Sequence, residues 1–591
     1  MATFLLVAAC ASVANQMGSE EPGATDRPEA GDAEEVVESA PEPPPVVDPP
    51  EMSEEEWAMP SIKSPEADFP YLPGESREAS RSIGKVNSGW LVNAKPIPQP
   101  HPHLKAIGEQ YERGLNYTSD EMLELIEETG AHVAEEHPGS LVPLGNFSAD
   151  GGGDIPYSAS HNNGRDGDLG FFALDEHGEP VELPDLLSFD ARGEYDGEEG
   201  EFRFDVERNW TMIEGLIEAD DEQRLQYIFI SDPLRRLLLR EAARSGASRS
   251  TIVRARELMR QPGGALPHAN HFHIRIHCSE TDVRAGCKNQ GRRSSGFVDH
   301  ADARRDAIRG AVEALDHDEA EMRRNAVRRL ALLEARGRAS EAARLLDDKV
   351  ARVRAAAARS IGRLGAGSSA IATRLDEEPD GHAAAEMINA LGHIGDDAAL
   401  EALVGQLSER RPLDLAGEYE TDGRALAAEA IIEIERGEPV VALIDLLESE
   451  NTEVRLSAAR ALHVLTNHRH GTRRELSDDD AVEEIAARWR DWYDEHGHKD
   501  RDEWLTCGFR DAGYEVEELS ARHVWDLCRA VADDDYLSHN AQRVLMRISG
   551  RQPASLSWSK EDANFYWRRW FERRWRTFGA PPIPEELSTL D

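Results

Sequence analysis

A short theme recurs through the second half of this 591-residue chain, and it restricts the fold of that half more than any other feature. An apolar helix end, an acidic turn and the start of a second helix follow one another at 314–323, 346–354 and 447–455. Leu364-Gly365 and Ile394-Gly395 continue the theme at a period of about 30 residues. Self-similarity of this kind is typical of an α-solenoid, in which each helix pair buries its apolar face against its neighbours.

The repeated pattern resembles HEAT-like repeats of the short bacterial kind over residues 300–466, with a polar interruption at 410–423. Solenoids of this type present extended binding surfaces rather than catalytic groups. We therefore expect an all-α segment that binds a partner.

A different duplication follows over residues 467–591. A helix with Trp489 and Trp492 is echoed by a helix with Trp567 and Trp570. Residues three positions apart share one helix face, so each tryptophan pair forms a stripe. Such a stripe is either part of the core or a stacking platform for a sugar ring or a partner helix.

The opposite end of the chain has little capacity to fold. From residue 20 to residue 70 it carries 16 acidic residues, two basic residues and 11 prolines. Such a segment cannot bury enough apolar surface to offset the entropy lost on ordering. We predict a disordered linker over residues 20–72.

Residues 1–19 contain an apolar run that ends in small residues directly before Cys10. This run resembles the lipobox of bacterial lipoproteins, which implies a signal segment and lipidation of Cys10 after cleavage. No basic residue precedes Arg27, although signal peptides begin with one. Cys10 is therefore either lipidated or incidental. No run of about 18 apolar residues occurs, so a lipid on Cys10 would be the only membrane attachment.

The charge of the chain excludes one class of partner. Lys and Arg number 67 against 113 Asp and Glu, which gives a formal net charge of -46. A surface of this charge repels nucleic acid phosphates, so we expect no DNA or RNA partner.

Residues 75–295 mix helical and strand patterns. Helical spacing of apolar residues occurs at 118–136 and 209–218, and a short buried strand is predicted at 227–232. This mixture predicts an α+β domain before the helical segment.

Two polar motifs in this domain point to a metal site. The first places His161 seven residues before Asp168, with glycines between them that permit a tight turn. The second, at 271–275, alternates polar and apolar residues, so His271, His273 and Arg275 share one face of a strand. Zn²⁺ takes imidazole and carboxylate ligands. His161, Asp168 and one histidine of the pair would supply three ligands, and the other imidazole would serve proton transfer or oxyanion stabilisation.

Together these motifs resemble the penicillin-insensitive murein endopeptidases, within the lysostaphin-type and D-Ala-D-Ala (LAS/Hedgehog-type) zinc peptidases, over about residues 80–290. The resemblance implies a domain with an antiparallel sheet and one zinc ion held by His161, Asp168 and His273. It implies that His271 is the general base or transition-state stabiliser and that His268 is a further active-site histidine.

The resemblance also implies a disulfide between Cys278 and Cys287, which follow the histidine strand. Asp166 either orients a ligand histidine or forms a turn. The charged segment 193–206 is an insertion expected to reshape the substrate groove. A disulfide suits an oxidising compartment, so we expect a periplasmic protein or an outer-membrane-anchored lipoprotein of the cell envelope.

The predicted function is zinc-dependent hydrolysis of peptide cross-links in peptidoglycan, of the D-Ala-meso-diaminopimelate type. The expected partners are peptidoglycan and an envelope protein bound by the HEAT-like repeats. One alternative is a D,D-carboxypeptidase, which the spacing of His268, His271 and His273 argues against. The other is a non-catalytic wall-binding scaffold that retains the metal site.

Overall fold

The structure of the chain is a computed structural model that describes residues 69–109, 111–153, 155, 158, 160–262, 267–415, 420–550, 559–572, 574–584 and 587. The predicted signal segment 1–19 with Cys10, and the predicted linker up to residue 68, lie outside these residues. Within the described ranges, no helix combines the length and the apolar character needed to cross a membrane.

The fold is mixed α+β: sheets lie in the N-terminal part, and helices predominate after residue 300. The elements up to residue 295 are β1 (Arg81–Lys85), β2 (Ser88–Val92), β3 (Lys95–Pro96), β4 (Leu104–Ala106), β5 (Tyr117–Thr118), α1 (Asp120–Glu136), β6 (Val142–Leu144), β7 (Asp166–Gly170), β8 (Ala173–Leu174), β9 (Pro180–Val181), β10 (Glu194–Gly197), β11 (Gly200–Phe204), α2 (Val206–Glu218), β12 (Leu225–Phe229), α3 (Asp232–Ser245), α4 (Arg249–Leu258), β13 (Met259–Arg260), β14 (His271–Ile276) and α5 (Glu280–Ala285).

The central sheet has six strands in the order β13-β12-β14-β7-β6-β4. Each of the middle strands β12, β14, β7 and β6 runs antiparallel to the next. At the two edges, β13 pairs in parallel with β12, and β4 pairs in parallel with β6. The apolar face of β14 carries Phe272, Ile274 and Ile276, which pack into one buried cluster with residues of α1 and α2. The opposite face is left for the polar residues of the same strand.

Local sequence patterns account for these elements. The predicted strand at 271–275 is confirmed as β14, and the predicted helix at 118–136 is α1. Helix α1 begins at Asp120 because the Ser119 hydroxyl accepts a hydrogen bond from the Met122 amide, 3.3 Å away. Strand β7 begins at Asp166, so Asp168 lies within the strand and follows the turn. The insertion at 193–206 forms the hairpin β10–β11 and the first residue of α2.

The disulfide joins Cys278 and Cys287, directly after β14. Their Cα atoms lie 6.1 Å apart and both residues are buried with Val283 and Ala303. The other two described cysteines, Cys507 and Cys528, form no disulfide with each other.

The C-terminal part consists of helices and one small hairpin. Its elements are α6 (Ala301–Ala314), α7 (Ala320–Leu332), α8 (Ala339–Ala343), α9 (Ala351–Leu364), α10 (Ser368–Glu377), α11 (Gly381–Ile394), α12 (Asp397–Ser408), β15 (Pro412–Asp414), β16 (Glu420–Asp422), α13 (Gly423–Ile434), α14 (Val440–Leu446), α15 (Thr452–Thr466), α16 (Arg473–Leu476), α17 (Val482–His496), α18 (Arg501–Asp511), α19 (Val524–Ala530), α20 (Asp535–Ser549), α21 (Lys560–Glu572) and α22 (Trp575–Phe578).

Alternate long helices of this part form one layer. Helices α7, α9, α11, α13 and α15 each pack against the next, while α10, α12 and α14 pack behind them. Small residues bring the layer together: a Cβ on Gly362 would lie 2.9 Å from the Cα of Ala390, and one on Gly392 would lie 2.8 Å from the carbonyl oxygen of Ala430. The HEAT-like assignment of this layer stays a prediction.

The tryptophan stripes lie in the core. Trp489 and Trp567 are fully buried, Trp492 is nearly so, and Trp570 packs against the same cluster as Trp567. This burial favours the core interpretation over a stacking platform.

The first described residues pack between the two parts of the chain. Phe69 and Tyr71 are buried, although they fall in the segment predicted as linker. The side chain of Arg329, on α7, is fully buried. Its guanidinium donates hydrogen bonds to the two carboxylate oxygens of Glu75, at 2.8 and 2.7 Å, and to the Pro70 carbonyl at 2.8 Å. It also lies 4.7 Å over the Phe69 ring. Residues 69–75 are ordered because these aromatic and charged groups have partners in the folded chain.

We expect Glu75→Gln to lower the free energy of unfolding at neutral pH by about 2 kcal/mol, because it leaves the buried Arg329 charge without its counterion. Burial would raise the pKa of Glu75, but the hydrogen bonds and charge of Arg329 outweigh it and hold that pKa below its usual value. The contribution is therefore present above the unfolded-state pKa of about 4.3 and is lost as pH falls through the lower folded-state pKa.

Urea denaturation at pH 7 and at pH 3 measures this difference. Glu341→Gln, which breaks the more exposed ion pair with Arg338, is the matched control and should change the free energy by less than about 0.5 kcal/mol. Equal losses in the two variants would contradict the role assigned to Glu75.

A second prediction concerns the disulfide. Cys287→Ser opens a loop whose ends are 9 residues apart in sequence and should lower the free energy of unfolding by about 2 to 3 kcal/mol. Dithiothreitol should lower the stability of the parent protein to that of the variant and leave the variant unchanged. If dithiothreitol lowered the free energy of unfolding of the parent protein and of the variant by the same amount, the disulfide would not be the source of the stability lost in Cys287→Ser.

Candidate active site

Two neighbouring strands bring the polar motifs together. In the antiparallel register of β7 and β14, His273 lies opposite Asp168 and Arg275 lies opposite Asp166. His271 lies opposite Gly170, which has no side chain to block the imidazole. Groups that are 105 residues apart in sequence therefore meet on one face of the sheet.

His161 reaches this face from the loop before β7. Its backbone has φ of 78°, in the left-handed region that few residues other than glycine adopt. The Ser148 hydroxyl stabilises this conformation, since it donates to the His161 carbonyl and accepts from the Gly164 amide at 2.8 Å. The sequence correctly predicts a tight turn here but not the strained residue within it.

One carboxylate oxygen lies at the centre of the site. Oδ1 of Asp168 is 2.9 Å from Nδ1 of His273, 3.4 Å from Nε2 of His161 and 3.4 Å from Nε2 of His271. The candidate ligand atoms of His161, Asp168 and His273 all lie within 4.8 Å of one another, and all three residues are buried. The structure thus brings together the three residues that the resemblance implies as metal ligands.

These residues fit a zinc ion. The ring of His161 is fully buried; its Nδ1 has no hydrogen-bond partner among the described residues, and its Nε2 has only the 3.4 Å contact with Oδ1 of Asp168. A buried polar atom without a partner is costly, and a cation would satisfy it. Two imidazole nitrogens and one carboxylate oxygen match the ligand set of a catalytic zinc site, in which a fourth position stays open.

Asp166 and Arg275 hold the other side of His273. Oδ2 of Asp166 lies 3.0 Å from Nε2 of His273, so the two ring nitrogens of this histidine face two different carboxylates. Arg275 donates to both oxygens of Asp166, through Nε at 2.7 Å and Nη2 at 2.6 Å. Asp166 stands in β7 and not in a turn, where it contacts His273; that it orients a metal ligand stays a prediction.

Buried charges of opposite sign stabilise one another here. Burial opposes ionisation of both aspartates, but Arg275 and His273 hold the pKa of Asp166 well below its usual value, and His271 and His161 do the same for Asp168. Burial would lower the pKa of His273, but Asp166 and Asp168 raise it to about 9. The two carboxylates thus favour positive charge at His273.

His271 and His268 lie at the open side of the site. His271 keeps 17% of its side chain exposed, and its Nδ1 lies 2.9 Å from Oδ1 of Asn270. Burial lowers the pKa of His271, so its imidazole is neutral at pH 7 and can accept a proton. The His268 ring lies 5.2 Å from that of His271 and 5.7 Å from that of His273.

Phe229 is a site residue that the sequence motifs do not reveal. Its ring stacks on His273 at 5.5 Å with an interplanar angle of 28°, and it lies 5.6 Å from the His268 ring. The Arg275 guanidinium lies 5.8 Å over the same ring. The available signal is the alternation in β12, which puts Tyr227 and Phe229 on one face beside the histidine strand.

Arg165 connects the site to the disulfide loop. Its fully buried guanidinium donates to the Ile276 carbonyl at 2.9 Å and to the Lys288 carbonyl at 3.2 Å. Burial lowers the pKa of this arginine to about 10, which still leaves it charged at neutral pH. His277, just beyond β14, is buried and faces the Ser294 hydroxyl at 3.1 Å, which gives it a structural role.

Comparison with known proteins finds a family model that is similar to part of the chain. No curated protein matches the chain. Among solved structures, the complex of CpcE and CpcF of phycocyanin lyase from Nostoc sp. PCC7120 is similar at 16% identity, over 44% of this chain and 92% of that chain. Its TM-score of 0.27 supports no argument about the fold. Residues 82–321, which include every residue of the site, match the family model of the penicillin-insensitive murein endopeptidases.

Proposed function

We propose that this chain is a zinc-dependent endopeptidase that hydrolyses peptide cross-links in peptidoglycan, of the D-Ala-meso-diaminopimelate type. The family match supports murein endopeptidase activity. The observation that carries the zinc proposal is the buried carboxylate oxygen of Asp168, which three imidazoles surround at 2.9 to 3.4 Å.

His161, Asp168 and His273 would hold one zinc ion per chain. When bound, zinc supplies a water molecule of lowered pKa and polarises the carbonyl group of the substrate. Asp166 keeps Nδ1 of His273 turned toward this position because it occupies Nε2. Arg275 holds Asp166 in turn, and Phe229 covers the imidazole face.

The two more exposed histidines handle protons. His271 is neutral and its Nε2 points toward Asp168, so Nε2 can take a proton from the attacking water or donate a hydrogen bond to the developing oxyanion. His268 stands beside it and can deliver a proton to the leaving amine.

The remaining parts of the proposal concern the two folded parts of the chain and the location of the enzyme. The antiparallel centre of the sheet supports a LAS-type peptidase domain, and the regular layer of α7 to α15 supports HEAT-like repeats that dock an envelope protein. The Cys278–Cys287 disulfide supports a periplasmic enzyme. Lipidation of Cys10 would attach it to a membrane.

Digestion of isolated sacculi tests the reaction. The purified protein should carry about one zinc ion per chain and release uncross-linked muropeptides, and a chelator should remove this activity. His273→Ala should lose both zinc and activity. His271→Ala should keep zinc but lose turnover by about 10²- to 10⁴-fold, since it removes only the proton transfer.

His177→Ala is the matched control, because this histidine lies on the surface with 76% of its side chain exposed. It should digest sacculi at the parental rate. Intact cross-links after incubation with the zinc-loaded parent protein would favour a non-catalytic scaffold. Loss of zinc in His271→Ala would mean that the roles of His271 and His273 are exchanged.

Asp166→Asn tests how His273 is oriented. The amide keeps the size of the side chain but cannot accept the same hydrogen bonds, so zinc affinity should fall by about 10- to 100-fold while the fold persists. Competition with a chelator of known affinity measures the change. Asp196→Asn, an exposed substitution in β10, should leave the affinity unaltered. An unaltered affinity in Asp166→Asn would show that Asp166 does not control the ligand.

A further inference from the structure

His271 has a different polar group on each side of its ring. Its Nε2 lies 3.4 Å from Oδ1 of Asp168, and its Nδ1 lies 2.9 Å from Oδ1 of Asn270. A neutral imidazole carries one proton, so one of its nitrogens donates a hydrogen bond and the other accepts one. The contact with Asn270 therefore decides whether Nε2 can take a proton or can only donate a hydrogen bond.

The orientation of the Asn270 carboxamide follows from its second contact. Nδ2 of Asn270 donates to the Leu186 carbonyl, 3.4 Å away. A carbonyl oxygen only accepts, so the amino group of the carboxamide faces Leu186 and the amide oxygen faces His271. That oxygen has no proton to give. Nδ1 of His271 is therefore the donor of the shorter hydrogen bond, and Nε2 carries the lone pair.

The Leu186 carbonyl is held in place by core packing. Leu187 and Phe189, which follow it in the segment between β9 and β10, are buried in the same cluster as the apolar face of the central sheet. The Leu186 side chain lies over two glycines near the site: a Cβ on Gly145 would lie 3.2 Å from it, and a Cβ on Gly170 would lie 3.4 Å from it. Leu186 is thus fixed by the fold and can in turn fix Asn270.

Backbone hydrogen bonds hold the two residues before Asn270. The Ser231 amide donates to the His268 carbonyl at 2.7 Å, and the Phe189 amide donates to the Ala269 carbonyl at 2.8 Å. The segment that carries Asn270 therefore enters β14 along a defined path. A group can orient a neighbouring side chain only if its own position is fixed by its surroundings, and these hydrogen bonds fix it.

The neighbouring histidine of the same strand has an outer partner of another kind. Oδ2 of Asp166 lies 3.0 Å from Nε2 of His273, whereas His271 faces the neutral carboxamide of Asn270. A carboxylate beside an imidazole stabilises positive charge on the ring, while an amide directs the ring without adding charge. The outer partners thus separate the two histidines: His273 is suited to a bound cation, and His271 is suited to a proton that binds and leaves.

We propose that Asn270 is a positioning residue, held by the Leu186 carbonyl, that keeps the proton of neutral His271 on Nδ1 and leaves the lone pair of Nε2 directed toward Asp168. For the reaction, this role rests on the proposed function. When water attacks the amide carbonyl, Nε2 accepts the proton that the water gives up, and the Nδ1 proton stays in its hydrogen bond with Asn270. Of the two roles open to His271, this assigns it the general base of the first step.

Nitrogen-15 NMR of the full-length protein, labelled at histidine and loaded with zinc, tests the tautomer. The chemical shift of a ring nitrogen distinguishes a protonated, a bare and a metal-bound nitrogen, and the resonances of His271 are those that disappear in His271→Ala. Zinc engages the Asp168 carboxylate, which would otherwise compete with Asn270 for the imidazole proton. We expect His271 to show a protonated Nδ1 and a bare Nε2 at pH 8.

Two substitutions separate the hydrogen bond from the size of the side chain. Asn270→Leu keeps the size and removes the acceptor, so the His271 proton should move to Nε2 in most molecules. Asn270→Asp keeps an acceptor oxygen beside Nδ1, so the proton should stay on Nδ1. Asn389→Leu changes an exposed asparagine of helix α11; it is the matched control and should leave the His271 resonances unchanged.

Cleavage of a soluble cross-linked muropeptide dimer tests the consequence for the reaction. Asn270→Leu should lower kcat by about 10- to 100-fold, because the base then starts with its proton on the wrong nitrogen, while KM and the zinc content stay within about twofold of the parent. Asn389→Leu should match the parent in all three quantities. A substitution that only disturbed packing would also lower the zinc content or the helical signal in circular dichroism.

Three results would overturn the proposal: a bare Nδ1 of His271 in the zinc-loaded parent, a tautomer that does not change in Asn270→Leu, or a rise in KM with kcat unaltered, which would make Asn270 a substrate-binding group. The two measurements also separate this role from the enzymatic one. A parent protein that leaves muropeptides intact, but whose His271 loses the Nδ1 proton in Asn270→Leu, would retain the positioning role and reject the peptidase. Cleavage together with an unchanged tautomer would do the reverse.

Discussion

The pairing of β7 with β14 is the interaction on which the candidate site depends. Its register sets His273 opposite Asp168 and Arg275 opposite Asp166, which no local feature of either strand could achieve. A slip of one residue would turn these side chains into the apolar core and bring Phe272 and Ile274 to the polar face. The core thus protects the register: Phe272 and Ile274 are fully buried, and Phe147 packs so closely on Gly167 that a Cβ there would lie 2.3 Å from its ring.

The charges brought together by this register stabilise one another. Asp166 and Asp168 are buried, and burial of an unpaired carboxylate is costly. Arg275 compensates Asp166, while imidazoles surround Asp168. Among the described residues that could hold a metal ion, His161 has a buried Nδ1 without a hydrogen-bond partner and a left-handed backbone conformation. Strain and an unpaired buried group at one position are typical of a site whose last partner comes from outside the chain.

The helical part also depends on close packing and on ion pairs, but there they join neighbouring helices. Close contacts between small residues set the spacing of its long helices, and ion pairs between arginine and glutamate connect neighbouring helices. Arg329 on α7 belongs to this part, yet it binds Pro70 and Glu75 at the start of the folded chain. Because that contact is buried and charged, the N-terminal residues and the first helices are parts of one packed structure.

The sequence alone determined the features that depend on local periodicity. Alternation with period two showed that His271, His273 and Arg275 share one face, and helical spacing predicted α1 and the array of helices from residue 300 onward. The chemistry of imidazole and carboxylate groups indicated a zinc site before any distance was known. Side-chain period and ligand type are properties of short segments, so they can be read without a fold.

The tertiary structure alone decided which groups face each other. It placed Nδ1 of His273 toward Asp168 and Nε2 toward Asp166, added Phe229 to the site, and folded residues 69–72 that composition predicted as linker. Strand register and helix neighbours arise from contacts between segments that are far apart in the sequence. Neither the composition nor a local pattern shows which of these segments meet.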